Sequence, residues 1–169
     1  MAKEIPVYLF VGFLESGKTK FIQETFEDPN FDSGDKTLLL ICEEGEEEYN
    51  EKKFAFPAVT VKVLEDKSEL NPQNLAKLGK EADAGRVVIE YNGMWQMEKL
   101  YREVLPANWV LYQIMTFVQA PTFELFVKNM GQLMMEKITN ADMIVFNRCD
   151  DKLKESLRAR NLRMVNRRA

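Results

Sequence analysis

The chain has 169 residues, enough for one domain with a sizeable core, and its 46% hydrophobic and 30% charged residues suit a soluble globular protein and exclude a disordered one. A net charge of −4, from 23 basic and 27 acidic residues, argues against general attraction to nucleic acid. There is no histidine, which removes the commonest metal ligand and neutral-pH base, and no apolar run is long enough to span a membrane as a helix. Cys42 and Cys149 form no C-x-x-C pair, and the residues after Met1 do not resemble a signal peptide. A reducing, cytoplasmic location is therefore expected.

In chain order, residues 7–11 are β-branched and aromatic and read as a first strand ending at Gly12. Lys18 to about Glu27 reads as a helix closed by "DPN", and residues 37–42 ("TLLLIC") as a second strand. The segment "CEEGEEEYNE" follows, with six glutamates between Glu43 and Glu51. Residues 58–63 form a third strand, and Asn71 as cap with Pro72 at the first helical position opens a helix. Residues 86–91 make a fourth strand, residues 95–105 a helix, and "WVLYQIMTFV" (109–118) a fifth strand buried on both faces. Residues 121–138 read as one long helix with Phe123, Phe126, Val127, Met130 and Met134 on one side. A sixth strand at 143–146, a helix at Asp151–Arg160 and a last strand at 162–165 complete the pattern. Apolar strands alternating with helices predict a single α/β domain over 1–169 with a mostly parallel sheet. A sequence that stops on a strand is expected to be part of a longer protein, truncated at its C-terminal end.

Gly12-Phe13-Leu14-Glu15-Ser16-Gly17-Lys18-Thr19 fits G-x-x-x-x-G-K-S/T in full, between a strand and a helix. The glycines let main-chain N–H groups turn inward, and these donors together with the helix N-terminus attract phosphate oxygens. Lys18 reaches the β- and γ-phosphates, and the Thr19 hydroxyl is offered to Mg²⁺. Ser16 and Lys20 belong to the same nucleotide-contacting stretch. Glu15 opposes phosphate by charge, so although it lies in that stretch its side chain is expected to point to solvent.

Asn147-Arg148-Cys149-Asp150 follows the sixth strand as a variant of N-K-x-D. An ionised Asp150 would accept from guanine N1–H and the exocyclic amine, Asn147 would brace the loop or meet the base edge, and Arg148 would cover the base face. The plain alternative is that Asp150 caps the next helix. Glu90 in "EYNG" would hold Mg²⁺ through a water and Gly93 would present its N–H to the γ-phosphate, unless the segment is a simple turn. The acidic loop is either a solvated charge run or an effector loop in which Glu43, Glu44 or Glu46 approaches Mg²⁺ or orients water, with Gly45 as pivot.

The order "GFLESGKT", "CEEGE", "IEYNG", "NRCD" resembles the CobW/HypB/UreG family of P-loop GTPases, which typically shows "GFLGSGKT", an "NEFGE"-like segment, E-x-x-G and N-K-x-D. The resemblance runs from Val7 to Asp150 and more weakly beyond. It implies a three-layer P-loop NTPase fold, GTP/GDP and Mg²⁺ as cofactors, slow GTP hydrolysis, and a part in delivering metals or cofactors to a client metalloprotein, often as a nucleotide-dependent homodimer. Carried over by position, Gly12, Gly17, Lys18 and Thr19 hold phosphates and Mg²⁺, and Glu43 or Glu46 and Glu90 stand near the metal. Asn147 and Asp150 hold guanine, and Asn166 in "VNRRA" matches an asparagine near the base. Lys18, Glu46 and Glu90 are the expected catalytic set. The C-x-C-C motif of CobW-type members is missing, since no cysteine lies between Cys42 and Cys149. Two other readings are a switch that holds nucleotide with incidental hydrolysis, and a small-molecule kinase using ATP.

Overall fold

The structure is a computed structural model that describes residues 2–169, for Arg163 the main chain only. Strand β1 (Ile5–Val11) is apolar on both sides because both are covered. Val7, Leu9 and Val11 join one apolar cluster, while Phe10, with Tyr8 packed beside it, joins another. β1 pairs in parallel with β4 (Arg86–Glu90) and β5 (Trp109–Gln119). β2 (Thr37–Ile41) pairs in parallel with β4 and with β3 (Val59–Val63), and β5 pairs in parallel with β6 (Met143–Asn147). The resulting order is β3-β2-β4-β1-β5-β6.

Helix α1 (Lys18–Glu27) lays Ile22 and Phe26 on the sheet face that carries Phe10, Leu39 and Ile41. The opposite face is covered by α2 (Pro72–Glu81) through Leu75 and by Met97 and Leu100 of α3, a short turn at Met97–Lys99 that widens into a π-type turn over Leu100–Val104. Each such fully buried side chain contributes roughly 1.5–3 kcal/mol. α2 starts as its sequence requires: the Asn71 side chain accepts from Asn74 N–H at 2.8 Å and Pro72 holds the first position.

Three expectations are corrected. The single helix over 121–138 is two, α4 (Phe123–Asn129) and α5 (Gly131–Asn140), because Met130 leaves the helical region at φ −135° and ψ 40°. Its apolar stripe nevertheless runs on, with Phe123, Phe126, Val127, Met130 and Met134 in one cluster. The strand expected at 162–165 is a 3-10 turn, Leu162–Met164: α6 (Asp151–Arg160) ends on Asn161 in the left-handed region, which turns the chain away from the sheet. β5 is not buried throughout, since β6 pairs with it only from Met115 onward and Val110 and Tyr112 upstream are exposed.

Parallel strands put all their C-terminal ends on one edge, so Gly12, Cys42, Glu90 and Asn147 emerge together although they are distant in sequence.

Candidate functional site

At that edge lies an open cleft of about 240 Å³. Residues 14–20 line it from β1 and α1, Glu43, Gly45 and Glu47 from the acidic loop, Glu90 from β4, and Asn147 and Arg148 from β6. Gly17 starts α1 at φ 101°, a left-handed conformation costly for other residues, and a Cβ there would stand 2.5 Å from Asn147 Nδ2. Asn147 thus packs against the loop at Gly17, and its Oδ1 accepts from Arg148 N at 2.9 Å. No side chain caps α1, so its first amides face the cleft without a side-chain partner. Ser16 Oγ is buried with no hydrogen-bond partner. Unpaired amides and an orphaned hydroxyl at a helix N-terminus suit an anion.

The Lys18 side chain is 3% exposed and folds back under the loop. Its ammonium donates to Gly12 O at 2.5 Å, to Phe13 O at 3.2 Å and to Glu43 Oε2 at 2.6 Å. Glu43 therefore stands against the group expected to grip phosphate. Thr19 Oγ1 donates to Glu90 Oε1 at 2.6 Å, and Tyr49 O–H donates to Glu90 Oε2 at 2.5 Å. Burial raises the Glu90 carboxyl above its usual range, and the hydroxyl donors and the nearby Lys18 charge only partly oppose this. Burial and the Glu90 charge likewise raise the Tyr49 phenol, which keeps it a donor. Burial, then the charges of Glu90, Glu43 and Glu69, push the Cys42 thiol up to about 12, so it stays protonated. The Thr19 hydroxyl with the Glu43 and Glu90 carboxylates forms a hard-oxygen donor set of the kind Mg²⁺ accepts.

Gly93 packs so closely on the loop that a Cβ would come 2.5 Å from Gly12 O and 2.7 Å from Phe13 Cα. Gln119 Nε2 donates to Glu15 O at 3.0 Å, tying the loop to the end of β5.

Several site expectations need correction. Glu15 does not simply face solvent: its backbone is left-handed at φ 62°, and its carboxylate accepts from Glu46 N at 3.0 Å, because the acidic loop folds over it. Glu46 brings its main chain to this contact, and its exposed neighbour Glu47 lines the cleft. Asp150 is exposed and caps α6, its Oδ1 accepting from Leu153 N at 2.8 Å; the cap adds to the guanine-reading expectation and does not replace it. Asn166 is buried elsewhere: its Nδ2 donates to Ile138 O and Ala141 O at 2.7 and 2.6 Å, and its Oδ1 accepts from the N–H groups of Arg168 and Ala169. Those four bonds use its hydrogen-bonding capacity on joining the chain end to α5. Tyr49 is the residue sequence reasoning missed; an aromatic standing alone in a glutamate run was the available signal, since such a ring needs a place to bury.

Among the described residues, no three His, Cys, Asp or Glu side chains converge as metal ligands, and no helix is long and apolar enough to cross a membrane. No curated protein matches the chain significantly. The fold is similar to that of the Zn(II)-bound YjiA GTPase from E. coli, with a TM-score of 0.66, 21% identity, and coverage of 98% of this chain and 56% of that one. It is also similar to the hydrogenase maturation factor HypB from Archaeoglobus fulgidus, with a TM-score of 0.61, 16% identity, and coverage of 98% and 78%. The chain thus spans little more than half the length of YjiA. The sheet, helices and loop make a P-loop NTPase-like α/β fold. The model of the CobW/HypB/UreG nucleotide-binding domain matches residues 6–169, and the chain belongs to that family.

Proposed function

We propose that the chain binds GTP and GDP with Mg²⁺, hydrolyses GTP slowly, and serves as a nucleotide-operated switch in delivering a metal or cofactor to a client metalloprotein. The observation that carries this reading is the loop itself: an uncapped α1 N-terminus, a buried partnerless Ser16 hydroxyl and an inward ammonium from Lys18 surround one cleft. Family membership supports nucleotide as the ligand.

Thr19, Glu43 and Glu90 would hold the Mg²⁺, which when bound neutralises phosphate charge and helps orient the nucleotide. Lys18 gives up Glu43 in favour of phosphate while keeping its bonds to Gly12 O and Phe13 O, so its charge enters the site already aimed. Water attacks the γ-phosphorus, the bond to the bridging oxygen breaks, and GDP and phosphate leave; the proton of water goes to the phosphate or to a glutamate of the acidic loop. Glu47 lines the cleft, so it stands beside Glu46 as a candidate for that glutamate. Slow turnover is expected from the isolated chain, with acceleration by a client or by a second copy. Arg148 beside Asn147 covers the base face, and Asp150 reads guanine.

Calorimetry with GTP and ATP side by side tests the reading. GTP is expected to bind at least tenfold more tightly. Asp150→Asn is expected to remove that preference while leaving α6 capped, because asparagine caps as well as aspartate. Equal affinities in the parent chain defeat the guanine assignment, and tight ATP binding with phosphate transfer to a small acceptor favours the kinase.

A further inference from the structure

We infer that Tyr49 is a positioning residue of this site, fixing the Glu90 carboxylate so that the acidic loop as well as α1 sets how Glu90 meets a divalent cation. The inference rests on the reading above that Glu90 serves nucleotide-bound Mg²⁺.

The Glu90 side chain has two oxygens and two donors. Oε1 takes the hydroxyl of Thr19, and Oε2 takes that of Tyr49. Glu90 is 2% exposed, and the cation near it, Lys18, is paired with Glu43 instead. A buried carboxylate without a salt bridge depends on such donors, and hydrogen bonds to an ionised group are the stronger kind. The two donors differ in commitment. Thr19 is itself a proposed metal ligand, so its hydroxyl is shared between carboxylate and cation. The Tyr49 hydroxyl is not a proposed metal ligand, so its donation to Glu90 is not shared with the cation.

Tyr49 is also held where it stands. Its ring packs on the cluster containing Phe10, Ile22 and Phe26. The next residue is tied to α1 twice, with Asn50 N donating to Gln23 Oε1 at 2.9 Å and Gln23 Nε2 donating to Asn50 O at 3.1 Å. Upstream, Glu44, Glu46, Glu47 and Glu48 are exposed, and the loop is pinned next at Glu46 N by Glu15 and at Glu43 by Lys18. When phosphate takes Lys18 from Glu43, the Tyr49 end of the loop stays anchored on Glu90. The loop can therefore rearrange at its nucleotide end without releasing the carboxylate at its metal end.

If Tyr49 served only as packing, losing its hydroxyl would leave the metal dependence unmoved. The experiment titrates a fluorescent GDP into the whole chain and into Tyr49→Phe, in EDTA and over a series of Mg²⁺ concentrations, with melting curves of both. The Phe variant keeps the ring in the core. Its affinity in EDTA is expected to stay within about twofold, and the Mg²⁺ needed for half-maximal effect to rise about tenfold, as for the loss of an outer partner of a metal ligand. A parental Mg²⁺ requirement in Tyr49→Phe overturns the inference, and so does an equal loss of affinity in EDTA and in Mg²⁺. If the parent chain binds GDP with no response to Mg²⁺, the Glu90 reading falls and takes this inference with it; that outcome shows before any variant is made.

Discussion

The Lys18 ammonium has three acceptors within 3.2 Å, and of these only the Glu43 carboxylate can leave without moving the loop itself. Phosphate must displace it. A buried ion pair broken from one side leaves a charge behind, but here the two carbonyls remain to hold Lys18. Glu43→Gln removes the competing charge and keeps the shape. In EDTA, its affinity for GDP should rise about tenfold, or about 1.4 kcal/mol. The same variant without ligand should be less stable by roughly 1–3 kcal/mol. Binding titrations and urea unfolding read the two effects, and weaker metal-free binding by the glutamine variant contradicts the competition. Glu15 shows another local trade. The family pattern has glycine at this position, and Glu15 adopts the left-handed φ of 62° while its carboxylate holds Glu46 N. Strain of about 1 kcal/mol at such a residue is set against a contact that glycine cannot make.

Among the elements, the segment after β4 touches the phosphate loop at its most crowded point. Gly93→Ala would drive a methyl group to 2.5 Å from Gly12 O, with backbone on both sides of the contact. Because neither main chain has a flexible side-chain end to swing away, the loop must shift. Nucleotide affinity should fall by more than about tenfold, while stability should fall by only about 1–3 kcal/mol. Alanine binding GDP as the parent does would show the loop to be more pliable than its packing indicates. The same level explains what was legible in the sequence. The strands were, because a parallel sheet covered on both faces writes a run of apolar residues that no other element of that length needs. Asn71-Pro72 marked the start of α2 because capping is local. The break at Met130 was not legible, because apolar spacing reports which face is buried and not where the main chain leaves the helix. The phosphate loop was legible as chemistry through Lys18 and Thr19, but the path of the acidic loop was not. That path depends on Glu15, Gln23 and Glu90, partners 27 to 41 residues away in sequence, and no periodicity encodes them. For the same reason the sequence does not show Tyr49 beside Glu90, or Asn166 bonded to the carbonyls of Ile138 and Ala141 at the end of α5.

At the scale of the whole molecule, Lys137 in α5 is a charge buried at a cost. It is 1% exposed, its ammonium lies 4.8 Å from the centre of the Phe13 ring, and it reaches Leu133 O at 3.4 Å. Burial pulls its pKa from 10.5 down to about 8; the Lys18 charge adds to the shift, while Glu136 and Glu43 oppose it. Below pH 8 the folded and unfolded chains both carry this proton, and the penalty of burying the charge is present in full. Between about 8 and 10.5 the unfolded chain binds more of it, so this group makes stability rise with pH. Lys137→Met should therefore be more stable than the parent at pH 7 by about 2 kcal/mol, after allowing for the lost contact with the ring. The advantage should shrink toward pH 10. Urea unfolding at pH 7 and 9.5 measures both, and a methionine variant less stable at pH 7 would show the ring and carbonyl outweighing the buried charge.

The unequal lengths of β5 and β6 reach beyond the site. Before Ile114, whose N–H and C=O are both bonded to Asp142, β5 pairs with no strand on that side among the described residues, and Val110 and Tyr112 are exposed. An apolar rim with free amides and carbonyls is a template for strand addition. At high protein concentration this border is where self-adhesion and loss of solubility would begin, on the flank of the sheet and away from the cleft.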